Sequence, residues 1–158
     1  MIDQGNPFDG ADIIAVYTAE EAVADGLLLH FNPATALEDE SSQFRCQPNP
    51  GQTQAGYRIT VLLTRAAYEA AVQWTRDEDW QTEDARFWDV LNVIRPTARQ
   101  IAGDLIPRET YVHRVPNTTA SGNPSTATTA SHQRLRVSIE GYNLTGQAFI
   151  IVALPGED

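Results

Sequence analysis

Two neighbouring segments near the end of this chain constrain its fold more than any other feature. Leu135, Val137 and Ile139 alternate with Arg134, Arg136, Ser138 and Glu140, the period-two pattern of a half-buried strand. Ala148 to Leu154 is a nearly continuous apolar run. At seven residues it suits a central position in a sheet and is too short to span a bilayer. Tyr142 to Gly146 turns the chain between the two. Such a sheet must bury an apolar face, and the helical stripes upstream offer a cover for it.

The strongest stripe is Phe87, Trp88, Leu91 and Ile94, at i, i+1, i+4 and i+7, which predicts a core-facing helix. Thr82 is placed to cap it, with Glu83 and Asp84 in its first turn. Arg95-Pro96 predicts a break or kink, followed by a second helical piece from Thr97 to Ala102 that ends at Gly103. A shorter helix is expected from Arg65 to Trp74, capped by Thr64, with Ala67, Ala70, Ala71 and Trp74 at helical spacing. Thr18-Ala19-Glu20-Glu21 is a capping box opening a helix of about two turns. Asp25-Gly26 stops it, because glycine accepts the left-handed conformation there.

Further strands are expected at Leu27 to Phe31, Tyr57 to Leu63 and Tyr111 to Val115. In the second of these, Ile59, Val61 and Leu63 face one side and Arg58, Thr60 and Leu62 the other. Residues 1–12 read as a flexible lead-in, and residues 32–54 and 116–133 as exposed loops. The expected fold is therefore α+β over a single domain, residues 1–158. An antiparallel or mixed sheet of about four to five strands packs against two main helices.

Charge is the second constraint. The chain has 21 Asp and Glu against 11 basic side chains, all arginine, for a net charge of -10. The first 44 residues hold nine carboxylates and no arginine or lysine. An acidic surface repels nucleic-acid backbones and attracts basic protein surfaces. One cysteine, Cys46, excludes an internal disulfide. The polar, acidic start from Met1 to Gly10 is unlike a signal peptide, so the cytoplasm is the expected compartment.

Three segments carry a family resemblance when taken together. They are Tyr17 to Leu29, with its Tyr-Thr start and Asp25-Gly26 stop; Phe87-Trp88-Asp89-Val90-Leu91; and Phe149 to Asp158, an apolar strand closing in Pro-Gly-Glu-Asp. Gly56 to Thr64 fits the family's middle strand. On these residues the chain resembles an uncharacterised family, a domain of unknown function, of small bacterial, plasmid and phage proteins. The loops at 32–54 and 116–133 are longer than the family's usual connections. The resemblance implies a phage or mobile-element origin. It implies no activity and supplies no catalytic residue.

The catalytic inventory is thin. His30, His113 and His132 form neither HxH nor HExxH, and none pairs with Cys46 at metal-ligand spacing. Arg45 beside Cys46 would favour a thiolate, but an incidental surface thiol is by far the better explanation of the pair. His113 lies on a predicted strand as a solvent-facing or hydrogen-bonded structural histidine. No nucleophile elbow, phosphate loop or dinucleotide fingerprint occurs. No catalytic residue, metal or cofactor is expected.

Three acidic runs remain: Glu38-Asp39-Glu40, Asp77-Glu78-Asp79 and Glu83-Asp84. Charge runs are ordinarily solvated loops and helix starts. Brought together, these would form an anionic patch that competes for the arginines and lysines of a nucleic-acid-binding groove. Trp80 follows the second run in a polar connector, where a core role is less obvious and a recognition role is available. The expected binding residues are Glu38, Asp39, Glu40, Asp77, Glu78, Asp79, Trp80, Glu83 and Asp84.

The expected function is a non-enzymatic, acidic, protein-binding accessory factor of a phage or mobile element. An inhibitor of host defence of the anti-CRISPR type is its most concrete form. The expected partner is a basic protein surface, such as that of a nucleic-acid-binding host protein. Neither nucleic acid itself nor a membrane is expected to bind. The alternatives are an enzyme with an unrecognised site using His113, Cys46 or paired carboxylates, and a structural or regulatory module that oligomerises.

Overall fold

The computed structural model describes residues 19–31, 50–141 and 148–157. These build an α+β fold around a mixed five-stranded sheet. In chain order the elements are α1 (Ala19–Ala24), β1 (Leu28–Leu29), α2 (Pro50–Gln54), β2 (Thr60–Thr64), α3 (Arg65–Ala71), α4 (Glu83–Asp104), β3 (Arg108–Arg114), β4 (Ser131–Gly141) and β5 (Ala148–Ala153). The sheet order is β1-β2-β5-β4-β3. Only β2 and β5 run parallel, with Val61 opposite Ile150 and Leu63 opposite Val152.

The continuous apolar strand β5 lies at the centre of the sheet, as its composition requires. Ile150 and Val152 face α3 and α4 and join Val61, Leu63, Leu135, Val137, Phe87, Leu91, Ile94 and Ile101 in the main core. Phe149 and Ile151 point the other way, where they meet Leu62, Leu28 and Val23 of α1. The alternation along Tyr57 to Leu63 thus separates two cores, with Val61 and Leu63 in one and Leu62 in the other.

Both main helices start where their caps predict. The Thr64 hydroxyl accepts from the Ala67 amide and the Thr82 hydroxyl from the Ala85 amide, each at 3.1 Å. Helix α3 is shorter than the periodicity suggests, ending at Ala71 rather than Trp74. Helix α4 does not break at Arg95-Pro96; it runs unbroken for 22 residues. Proline there withholds one amide from the Asn92 carbonyl, a smaller loss than unburying the stripe on either side. Phe87, Leu91, Ile94, Ala98 and Ile101 are all buried, and Tyr57 donates its hydroxyl to the Leu91 carbonyl. Trp88 is only half-buried at the edge of that stripe. The helix passes Gly103 and ends on Leu105, which adopts a left-handed φ of 60°.

The Asp25-Gly26 stop forms as expected. Gly26 takes a φ of 74° and the Leu27 amide reaches back to the Ala22 carbonyl at 2.9 Å. Thr18, which would complete the capping box, lies outside the described residues, as do residues 1–12, 32–49 and the 142–147 turn. Residues 50–54, within the stretch expected as loop, form the short helix α2. Its Gln52 is fully buried, and the carboxamide bonds both backbone groups of Val61 at 2.9 Å. It stands in for a neighbouring strand where β1, which pairs only with Leu63 and Thr64, does not reach. No helix among the described residues is long and apolar enough to cross a membrane.

Candidate functional site

The candidate site is the connector between α3 and α4. An α-helix leaves its last carbonyls without partners, and α3 has no basic residue in its last turn. Two arginines from elsewhere take that role. Arg114, at the end of β3, donates Nε to the Ala71 carbonyl, and Arg86 of α4 donates Nε to the Val72 carbonyl at 3.0 Å. Arg114 also bonds the Arg86 carbonyl, and Asp89 supplies a carboxylate at 3.3 Å. Burial pulls Arg86 down to about 10, and the nearby Arg114 charge acts in the same direction. Burial also lowers Arg114, opposed by Asp89. These two cations fix the end of α3 and hence the start of the connector.

A third arginine organises the connector itself. The Arg76 side chain is 3% exposed and forks onto Glu78, with Nε to Oε2 at 3.1 Å and Nη2 to Oε1 at 2.8 Å. Its Nη1 reaches the Ala127 carbonyl at 2.6 Å and the Pro116 carbonyl at 3.3 Å. The guanidinium lies 5.0 Å from the Trp74 ring centroid and 5.5 Å from that of Trp80. The two indoles meet edge to face at 5.2 Å, and Trp74 Nε1 donates to the Glu78 carbonyl at 2.8 Å. The hydrogen bonds from Arg76 hold the Glu78 carboxyl below its ordinary range.

The predicted residues therefore divide by role. Asp77, Glu78, Asp79 and Trp80 are exposed on the connector, and Trp80 retains 47% of its surface. Glu83 is tied inward, with Oε2 accepting from the Tyr68 hydroxyl at 2.9 Å and Oε1 from the Trp74 amide at 3.2 Å. Asp84 is half-buried, with Oδ1 lacking a hydrogen-bond partner; burial and then Glu83 raise its pKa. Trp74 thus brings Glu78 and Glu83 together from two of the acidic runs. Glu38, Asp39, Glu40 and Cys46 lie outside the described residues.

The 116–133 segment is exposed over most of its length, but it is stitched to the connector. Asn117 accepts from the Thr75 amide at 3.1 Å and donates to the Gln73 carbonyl at 2.7 Å. Ser125 is buried and its amide returns to the Asn117 carbonyl at 2.9 Å. Strand β4 already begins at Ser131.

Sequence reasoning missed Arg76, Arg86 and Arg114 as organisers. A signal existed for two of them. Arg86 lies four residues before Val90, on the buried side of its helix, and Arg114 shares the inward face of β3 with Val112. Among the described residues no group of three His, Cys, Asp or Glu side chains is placed to hold a metal ion. No family model matches the chain, and no curated protein and no solved structure matches it.

Proposed function

We propose that this protein is a non-enzymatic, protein-binding accessory factor that docks a basic partner surface through the Asp77–Trp80 connector. The observation that carries the reading is the placement of Trp80. Its exposed ring is held against Trp74 and beside Arg76, on the same connector that exposes Asp77 and Asp79. An aromatic fixed before binding loses little side-chain entropy on contact, and aromatics and arginines dominate interface energies. Among the described residues of the acidic runs, Asp77 and Asp79 are the exposed carboxylates left to meet the partner, since Glu78 is engaged by Arg76, Glu83 faces inward and Asp84 is half-buried. A nucleic-acid-binding protein offers the complementary arginines and lysines. An inhibitor of host defence, encoded by a phage or mobile element and acting in the cytoplasm, is the most concrete form of this role.

A labelled oligo-arginine peptide provides a defined basic probe, read by fluorescence anisotropy. Trp80→Ala leaves the net charge unchanged, so it separates docking from general electrostatic attraction. Wild-type protein is expected to bind the peptide in a salt-sensitive manner, and Trp80→Ala to bind it several-fold more weakly. Equal affinity for both proteins would overturn the proposal.

A further inference from the structure

The β3–β4 ladder carries a second constellation, remote in sequence from the acidic runs. His113 and His132 are direct partners across the two antiparallel strands. Directly opposed residues hold their Cβ atoms about 4.5–5.5 Å apart on one face of the sheet. The two imidazoles meet with ring centroids 4.6 Å apart and an interplanar angle of 77°. Both are exposed near the end of the ladder, His113 on the edge strand β3 and His132 on its neighbour β4. Tyr111, two residues before His113, stacks on His132 at 4.4 Å and 18° and meets His113 edge-on at 5.8 Å. The tyrosine thus packs against both imidazoles on the exposed face of the ladder.

We propose that His113 and His132 form a two-imidazole site for a late first-row divalent cation such as Zn2+. Imidazole nitrogens are the favoured neutral ligands for these ions, with Zn–N distances of about 2.0–2.1 Å. Two rings fixed across one strand pair can approach a single ion from adjacent positions without moving the backbone. The nearer cation on this face is Arg134, opposite Tyr111, and its guanidinium is paired with the Glu109 carboxylate; Arg136, opposite Glu109, lies farther along the same face. That pairing offsets the positive charge that would otherwise oppose a metal ion. Water completes the coordination, so the site is open and of modest affinity. A bound ion would clamp the two strands at the mouth of the long 115–130 connection. The sequence hides the pair because 18 residues separate the two histidines.

The test follows the imidazole C–H resonances of His113 and His132 by NMR while Zn2+ is added at neutral pH, with Mg2+ as control. His30 provides an internal reference. The expected result is a joint response of His113 and His132 that saturates at one equivalent, no response to Mg2+, and a Zn2+-dependent rise in Tm. His113→Asn should weaken the Zn2+ response of His132 at least tenfold, and His132→Asn should do the same to His113. Both substitutions are on the surface, and circular dichroism would establish that the fold is retained. A His132 response to Zn2+ unchanged by His113→Asn would overturn the proposal, as would independent saturation of the two rings or no response at all.

Discussion

Thr64 and Glu157 join two distant parts of the chain at one hydroxyl. Thr64 Oγ1 accepts from the Ala67 amide as the N-cap of α3 and donates to Glu157 Oε2 at 2.8 Å. The same carboxylate oxygen accepts from the Leu154 amide at 2.6 Å. Gly156, with a φ of 91°, makes the turn that brings Glu157 back. The Pro155-Gly156-Glu157 turn thus has a structural use: it fastens the end of β5 to the start of α3.

Glu157→Ala removes the partner of a cap and of a strand-end amide together. It should destabilise the fold by about 1–3 kcal/mol, the range for hydrogen bonds to a charged group. Urea denaturation measures this, and an unchanged midpoint would show that the closing turn is dispensable.

Gln52→Ala should cost about 2–4 kcal/mol, because it leaves the buried Val61 amide and carbonyl without the partners that Gln52 supplies. The amide proton of Val61 should lose its protection from hydrogen exchange in the variant. Retained protection would mean that another group takes over the role.

Much of the fold was legible because it rests on local chemistry. Thr64 and Thr82 cap helices wherever a helix follows, and the alternation at Leu135, Val137 and Ile139 dictates which side of β4 is buried. What failed were places where tertiary contacts outweigh local preference. Arg95-Pro96 predicts a break or kink; the helix does not break there, because buried Leu91, Ile94, Ala98 and Ile101 carry it through. Gln52 reads as loop until β2 offers it the Val61 amide and carbonyl, which β1 does not reach. The candidate site was half legible. Asp77, Asp79 and Trp80 stood out by composition, whereas the buried Arg76 that orders them looks in sequence like one more surface charge.

Leu105 holds a left-handed φ of 60° and is 55% exposed. A side chain in this conformation costs about 1–2 kcal/mol that glycine avoids. Leu105→Gly should therefore raise stability by about 1 kcal/mol, less whatever entropy glycine adds to the unfolded chain. A lower Tm would contradict this.

Burial pulls the His30 imidazole from its ordinary value of 6.5 down to about 4, against a hydrogen bond with Gln52 that pushes it up. Between those values the unfolded chain takes a proton that the folded chain refuses. The contribution to stability is complete above pH 6.5 and is lost as pH falls toward 4. Its slope is at most about 1.4 kcal/mol per pH unit. His30→Gln should flatten the stability profile in this window, measured by denaturant unfolding at successive pH values. An identical slope in the variant would exclude His30 as the cause.

The central claim is that the connector, not the net charge, recognises a basic surface. The most direct measurement compares two charge reversals of equal size, read as affinity for the oligo-arginine probe and as Tm. One is Asp77→Lys with Asp79→Lys, which leaves the Arg76–Glu78 pair intact. The other is Glu21→Lys with Glu140→Lys, at exposed positions elsewhere. The account predicts that the connector variant loses most of its affinity and its salt dependence while keeping its Tm, and that the control keeps most of its affinity. Equal losses in the two variants, or full affinity in a folded connector variant, would contradict it.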